Sequence, residues 1–202
     1  MISDTATTPA DPTPVRPSAS ARERLLAAAD ELFYDEGIHV VGIDRIIEQA
    51  GVAKATLYST FGNKEGLILA YLQARLERRQ ARVNAALATA STPRERVLAV
   101  FDVLSNYIND PRFHGCADIN ASAETEPGSA VEAAVQASRR WRRSLFVDLA
   151  RDAGVKDPEL LGRQLELLYD GAMVTARVDG TPDAAAVAKQ TATALLDAAF
   201  TA

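Results

Sequence analysis

The residues best equipped for chemistry in this chain stand close together, between Lys54 and Lys64. Lys54, Thr56, Tyr58, Ser59, Thr60 and Lys64 offer ammonium, hydroxyl and phenol groups, all hydrogen-bond donors, with the methyl of Ala55 among them. From Ala53 to Lys64 there are two lysines and no acid. Donors and positive charge without a nucleophile and its base suit the recognition of a polyanion rather than bond cleavage. On a helix, Lys54 and Thr56 near the N-terminal end reach base edges, and Ala55 can touch a thymine methyl. Tyr58 and Lys64 are placed to hold phosphates, and Ser59 and Thr60 can add to either group.

Those side chains need elements to position them, and the stretch from Val41 to Leu67 supplies two short helices around a tight turn. Ile43, Ile46 and Ile47 recur at helical spacing and give the first helix one apolar face. Ala50-Gly51-Val52 breaks that pattern, with Gly51 free to take a positive φ. A second helix, from about Ala53 to Ser59, buries Leu57 and leaves the polar residues to a partner. Asn63 caps a third helix that opens Lys64-Glu65-Gly66-Leu67. One helix that props a second into the DNA major groove is the logic of the helix-turn-helix.

The run Ala50-Gly51-Val52-Ala53-Lys54-Ala55-Thr56-Leu57-Tyr58, followed by Phe61 and Asn63-Lys64-Glu65, resembles the DNA-binding signature of the tetracycline-repressor (TetR) family. Turn, recognition helix and the next N-cap fall in register, and the likeness covers roughly Arg22 to Leu72. The family often has a threonine at the start of the first short helix, where it caps the helix and touches a phosphate. This chain has Gly42, so a contact there comes from backbone N–H groups, which suit phosphate at a helix N-terminus. The resemblance implies a dimer that binds double-stranded operator DNA, with the last two helices of each copy forming a four-helix interface.

The formal charge of −5 looks unsuited to a DNA binder. The acids of this region, Asp30, Glu31, Asp35 and Glu36, nonetheless lie outside the recognition stretch. Screening limits the reach of charge to about 10 Å in 0.1 M salt, so the local balance decides. No apolar run reaches the length of a membrane span, and no signal peptide is expected at the N-terminus. A single cysteine makes no internal disulfide, which fits a cytoplasmic protein. The sequence holds no GxSxG, HExxH, P-loop or Gly-rich dinucleotide turn, so no enzyme and no cofactor is expected.

Along the chain, residues 1–19 are rich in Thr, Pro, Ser and Ala and predict a disordered tail, whose Arg16 could reach a minor groove. Ser20-Ala21-Arg22-Glu23 is a capping box that opens a helix closed by Gly37. Residues 20–64 therefore read as a DNA-binding head, and residues 65–202 as a ligand-binding and dimerisation body. The helix from Lys64 runs to about Leu87 and joins the two. Three pairs, Thr92-Pro93, Asp157-Pro158 and Thr181-Pro182, each place a capping oxygen before a proline at the first helical position. They predict helices near 93–109, 158–178 and 182–200. A short helix from Cys116 to Ala123 and a long one from Ser129 to Asp152 complete an all-α chain of about nine helices.

In the body, Leu161, Leu165 and Leu168, with Leu195, Leu196 and Phe200, exceed what one core-facing stripe needs and are candidates for the dimer interface, with Gly171, Ala172 and Ala176 allowing close approach. Phe101, Leu104, Tyr107, Cys116, Asn120, Trp141, Phe146, Tyr169 and Met173 are candidates for a pocket that takes a mostly apolar effector. The same residues at helical spacing also fit an ordinary core. His114, Cys116 and Asp118 lack a fourth metal ligand, so no metal is expected, and Cys116 reads as a buried thiol or, alternatively, a redox sensor. Arg139, Arg140, Arg142 and Arg143 read as a solvated surface paired with acids. The expected function is a dimeric repressor released from its operator by a small molecule. The alternatives are an activator or ligand-independent regulator on the same fold, or an enzyme with a helical site.

Overall fold

The computed structural model describes residues 19–201, with side chains through residue 199. The expected tail with Arg16, apart from its last residue, and the side chain of Phe200 lie outside the described residues. Among the described residues there are nine helices and no strand: α1 (Ala21–Glu36), α2 (Ile43–Ala50), α3 (Lys54–Phe61), α4 (Lys64–Thr89), α5 (Pro93–Ile108), α6 (Ala117–Ala123), α7 (Ala130–Asp152), α8 (Pro158–Asp179) and α9 (Ala184–Thr201).

Local chemistry sets most of these boundaries. The Ser20 hydroxyl accepts the Glu23 N–H while the Glu23 carboxylate accepts the Ser20 N–H, so both ends of the capping box are closed. Thr92 and Glu95 repeat this arrangement at α5, and Asp157 caps α8 through the Leu160 N–H. The third proline signal does not start its helix. Thr181-Pro182 lies in the turn after Gly180, and α9 begins at Ala184, where the Asp183 carbonyl accepts the Val187 N–H.

Two apolar cores organise the chain. One gathers Leu25, Phe33, Ile46 and Leu57 with Leu67, Ile68, Tyr71 and Leu72 of α4, and it also takes in Ala117, Ala121, Val131 and Val135 from α6 and α7. The other packs Phe101, Leu104, Phe146, Leu165, Met173 and Leu196. The head's core therefore does not end at residue 64, since it runs along α4 as far as Leu72. Close approach of α7 and α8 falls at Gly162, where a Cβ would sit 2.5 Å from Val147 Cγ2. Gly171, expected to allow close approach at the dimer interface, has nothing within 4 Å of a Cβ in the single chain.

Candidate nucleic-acid interface and seam cavity

The turn between α2 and α3 depends on Gly51, which takes φ 61° and ψ 44° and sends its N–H back to the Glu48 and Ile47 carbonyls. Leu57 is fully buried and pins α3 to the head, a burial that stabilises by about 1.5–3 kcal/mol. With that anchor inward, Lys54, Ala55, Tyr58 and Ser59 are exposed, while Thr56 and Thr60 are half-buried. Tyr58 is 44% exposed, with its phenol beside Lys54 on the outward face. Gly42 is the N-cap of α2, with no side-chain cap, so the first N–H groups of α2 are open to an anion.

The predicted donors are not equally free. Lys54 Nζ lies 2.8 Å from Asp44 Oδ1 of α2, and the hydrogen bond and charge of Asp44 raise the lysine above its ordinary value. Both members are exposed, so the pair exchanges readily for a phosphate. Ser59 Oγ and Thr60 Oγ1 both donate to the Thr56 carbonyl, at 3.1 and 2.6 Å, and so are turned onto their own helix. Lys64 points inward. Its Nζ donates to the His39 carbonyl at 3.2 Å and lies 6.0 Å from the centroid of the Phe33 ring, and burial lowers its pKa. Sequence reasoning passed over Arg22, which is exposed and has its guanidinium 5.6 Å from the Phe61 ring at the far end of α3.

Head and body meet at a seam built by α1, α4, α5 and the start of α6. Tyr34 Oη accepts the His114 N–H at 2.9 Å and lies 2.8 Å from both Tyr107 Oη and the Gly115 carbonyl. Arg75 stacks 3.5 Å over the Tyr34 ring and grips Asp30 at 2.8 and 3.3 Å. Deeper in, Arg79 Nη1 donates to Asp118 Oδ2 and Ser138 Oγ, at 2.8 and 3.0 Å. Burial alone would push the Asp118 carboxyl up. The Arg79 charge, with hydrogen bonds from Arg79 and Ser138, outweighs that and holds it below the usual carboxylate range. These residues surround a cavity of about 290 Å³ lined by α1, α4, α5 and Tyr169.

That cavity changes the reading of the body. Of the nine candidate ligand residues, it is lined by Tyr107 and Tyr169. Phe101, Leu104, Cys116, Phe146 and Met173 are buried in the body core, and Trp141 packs against it half-buried. Asn120 Nδ2 donates to the His114 carbonyl, so its amide has a partner within the chain. The lining is not mostly apolar, since Arg75, Arg78, Arg79 and Arg82 share it with Asp30, Glu31 and Asp35. Burial pushes the Cys116 thiol up, away from the thiolate that a redox sensor needs. Among the described residues no group of His, Cys, Asp and Glu could hold a metal.

The apolar residues of the last helices also divide. Leu161, Leu165 and Leu196 lie in the chain's own core, while Leu168 and Leu195 pack against it partly buried. The apolar side chains that remain outward are Leu160, Leu167, Val174 and Val178 of α8 and Val187 of α9. On α7, Arg139 pairs with Asp170 at 3.0 Å and Arg143 with Glu166 at 2.7 Å. Arg142 departs from the expected solvated surface, being buried 2.9 Å from Asp170 with its ring-facing side 5.1 Å from the Tyr169 centroid.

Comparison with known proteins agrees with this geometry. Residues 25–71 match the family model described as bacterial regulatory proteins, tetR family. The whole fold is similar to the crystal structure of SCO4454, a TetR-family transcriptional regulator from Streptomyces coelicolor, with a TM-score of 0.84 and 38% identity over 89% of this chain and 95% of that one. The chain belongs to the TetR family. The regulator is also similar to a putative TetR regulator, sav143, from Streptomyces avermitilis, at 33% identity over 90% of this chain and 99% of that one, with a TM-score of 0.78. The HTH-type transcriptional activator FasR of Mycolicibacterium smegmatis is 32% identical over 140 residues, which are 69% of this chain. The match spans 64% of FasR, a little under two thirds of that protein's own length. These relatives are transcriptional regulators, and this chain is a helix-turn-helix transcriptional regulator and not an enzyme.

Proposed function

We propose that the regulator is a homodimeric repressor that holds double-stranded operator DNA through α3 and leaves it when a small molecule binds in the body. The observation that carries this reading is the outward face of α3, where Lys54, Ala55, Tyr58 and Ser59 are exposed around a single buried anchor, Leu57. Lys54 and Thr56 read base edges, Ala55 meets a thymine methyl, and Tyr58 with the N–H groups after Gly42 holds phosphates. Ser59, Thr60 and Lys64 join the contact only by giving up the internal hydrogen bonds described above. Residues 20–64 carry the head, its core completed by α4 as far as Leu72, and the rest of residues 65–202 the ligand-binding and dimerising body.

A single short recognition helix gives little affinity, so two copies are needed, and the outward apolar stripe of α8 supports the pairing. Leu160, Leu167, Val174 and Val178 recur along one face of that helix, next to Val187 of α9. Operator binding puts the protein in the cytoplasm. Among the described residues no helix is long and apolar enough to cross a membrane, which agrees with that placement.

Selection of bound fragments from a random duplex pool tests the reading. A repressor of this build enriches an inverted repeat with half-sites about one helical turn apart or a multiple of it. Retention of all fragments alike would overturn it. Light scattering should give twice the mass of the 202-residue chain, and Leu167→Glu should give a folded monomer, because a symmetric interface meets each new charge twice. A second reading, an activator, is favoured by the name of FasR. Reporter expression from the selected operator separates the two, since deletion of an activator lowers it and deletion of a repressor raises it.

A further inference from the structure

Four arginines, Arg75, Arg78, Arg79 and Arg82, recur along α4 at the i, i+3, i+4 and i+7 spacing of one helical face. All four line the seam cavity. Three of them have carboxylate partners. Arg75 and Arg78 both engage Asp30, and Arg79 engages Asp118. Arg82 has no ion pair among the described residues, and its guanidinium lies 5.5 Å from the centroid of the Tyr107 ring. Arg112 at the rim pairs with Asp110 at 3.5 Å. Glu31 accepts from Gln49 Nε2 at 2.7 Å, and Asp35 is exposed at the edge, where water screens it. Five arginines of the lining thus face four acids, Asp30, Glu31, Asp35 and Asp110, and Arg82, whose charge acts on Asp110 from beyond contact, is the arginine among them without an ion pair.

Tyr169 adds a second polar group without a partner. It is 5% exposed, it lines the cavity, and its hydroxyl makes no hydrogen bond among the described residues. The hydroxyl keeps accessible surface at the cavity, where water or a bound molecule can pair with it. Tyr107 and Phe113 form an edge-to-face pair, 5.5 Å apart at 88°, and Val103 and Tyr34 complete an apolar wall. We propose that this seam cavity is the binding site of a small aromatic carboxylate, its ring against Tyr107 and Phe113, its charge on Arg82, and its far edge hydrogen-bonded to Tyr169.

With Arg82 the one arginine of the lining that lacks an ion pair among the described residues, the site favours a singly charged anion. The planar fork of arginine fits a carboxylate in two-point contact. A volume of about 290 Å³ matches a single-ring acid and is at the small end of ligand pockets. Occupancy also reaches the head. Tyr34 of α1 and Tyr107 of α5, whose hydroxyls meet at the Gly115 carbonyl, are both walls of the site. A carboxylate on Arg82 sits one helical turn from Arg78, which Asp30 of α1 holds, and so biases how α1 sits on α4. That consequence rests on the proposed release from the operator, whereas binding itself does not.

Isothermal titration of the full chain tests the site with 4-hydroxycinnamate and its neutral amide as probes. The carboxylate should bind the wild type and the Arg140→Ala control equally, Arg140 being an exposed arginine of α7 outside the cavity. The amide should bind at least about ten-fold more weakly, as expected when a charge-assisted hydrogen bond is lost. Arg82→Ala should lose about ten-fold or more in carboxylate affinity, and Tyr169→Phe a few-fold, with melting temperatures confirming that both variants are folded. Equal affinity for acid and amide, unaltered binding by Arg82→Ala, or no heat from the acid at millimolar concentration would each overturn the proposal. Operator binding measured without either probe keeps the two readings apart. Intact DNA binding without probe binding sinks this site alone, and probe binding without DNA binding supports the site while sinking the proposed operator-held repressor.

Discussion

The face of α3 and the seam under α1 use charge in opposite ways. On α3 the ion pair of Lys54 with Asp44 is exposed on both sides, and a pair of that kind is worth about 0–1 kcal/mol. At the seam, Arg79 and Asp118 are 10% and 3% exposed at the side chain and share a third partner in Ser138. Breaking such a buried pair by removing one member costs about 3–5 kcal/mol. The first arrangement suits a surface that must exchange its own contacts for those of DNA. The second fixes where the head stands on the body. Substitutions on α3 should therefore change binding and leave folding alone, while substitutions at the seam should do the reverse.

The largest expected effect is at Asp118. Asp118→Asn leaves Arg79 buried without a counter-charge and should lower stability by about 3–5 kcal/mol, read as a fall of roughly 10 °C in melting temperature. A loss under about 1 kcal/mol would erase the contrast between seam and reading face. The pH dependence has a definite sign. The folded pKa of Asp118 is depressed, so its contribution is fully present above the unfolded value of about 4 and is lost as pH falls through the lower folded value. Wild type should thus lose stability in acid more steeply than Asp118→Asn, and parallel acid limbs in urea titrations would contradict this.

Next in size is Tyr34→Phe, which removes the hydroxyl shared by His114, Gly115 and Tyr107. Stability should drop by about 1–2 kcal/mol, with the larger loss if the His114 N–H is left unpaired, since Tyr107 still donates to the Gly115 carbonyl. Amide exchange should speed up at His114 before it does at the centre of α1. The smallest effect is expected at Lys64→Ala. Its ammonium is tied to the His39 carbonyl, so the salt slope of DNA binding should flatten by less than the roughly one unit that a phosphate contact contributes. A full unit would show that Lys64 turns outward on DNA.

The difference between these regions also explains what could be read in advance. The reading head was legible because its signals are local. Ser20 with Glu23, Gly51 and Asn63 act on neighbours within four residues, and they start α1, end α2 and start α4. The same locality failed at Thr181-Pro182, because a cap followed by proline also fits the turn that precedes α9. Leu161, Leu165 and Leu196 were assigned to a partner because periodicity shows that a helix has an apolar face without showing which body covers it. The helices of this body have a core face and a bare face, and only packing tells Leu165 from Leu167. The seam was hidden for a different reason. The arginine ladder of α4 is plain in the sequence, but its partners Tyr107, Asp118 and Asp30 lie 25 to 48 positions away, the nearest pairing being Arg82 with Tyr107 and the farthest Arg78 with Asp30.

The central claim is that α3 reads DNA from a head whose folding does not depend on the residues that read. Fluorescence anisotropy with the selected duplex, run beside urea unfolding for Lys54→Ala and Tyr58→Ala, tests it most directly. Lys54→Ala should weaken binding by about 1–3 kcal/mol and relax preference at one base pair. Tyr58→Ala should weaken binding to all duplexes alike, and the unfolding midpoint should stay at the wild-type value in both variants. Wild-type affinity in both, or a shifted midpoint that accounts for the loss, would contradict the assignment of α3 as the reading helix.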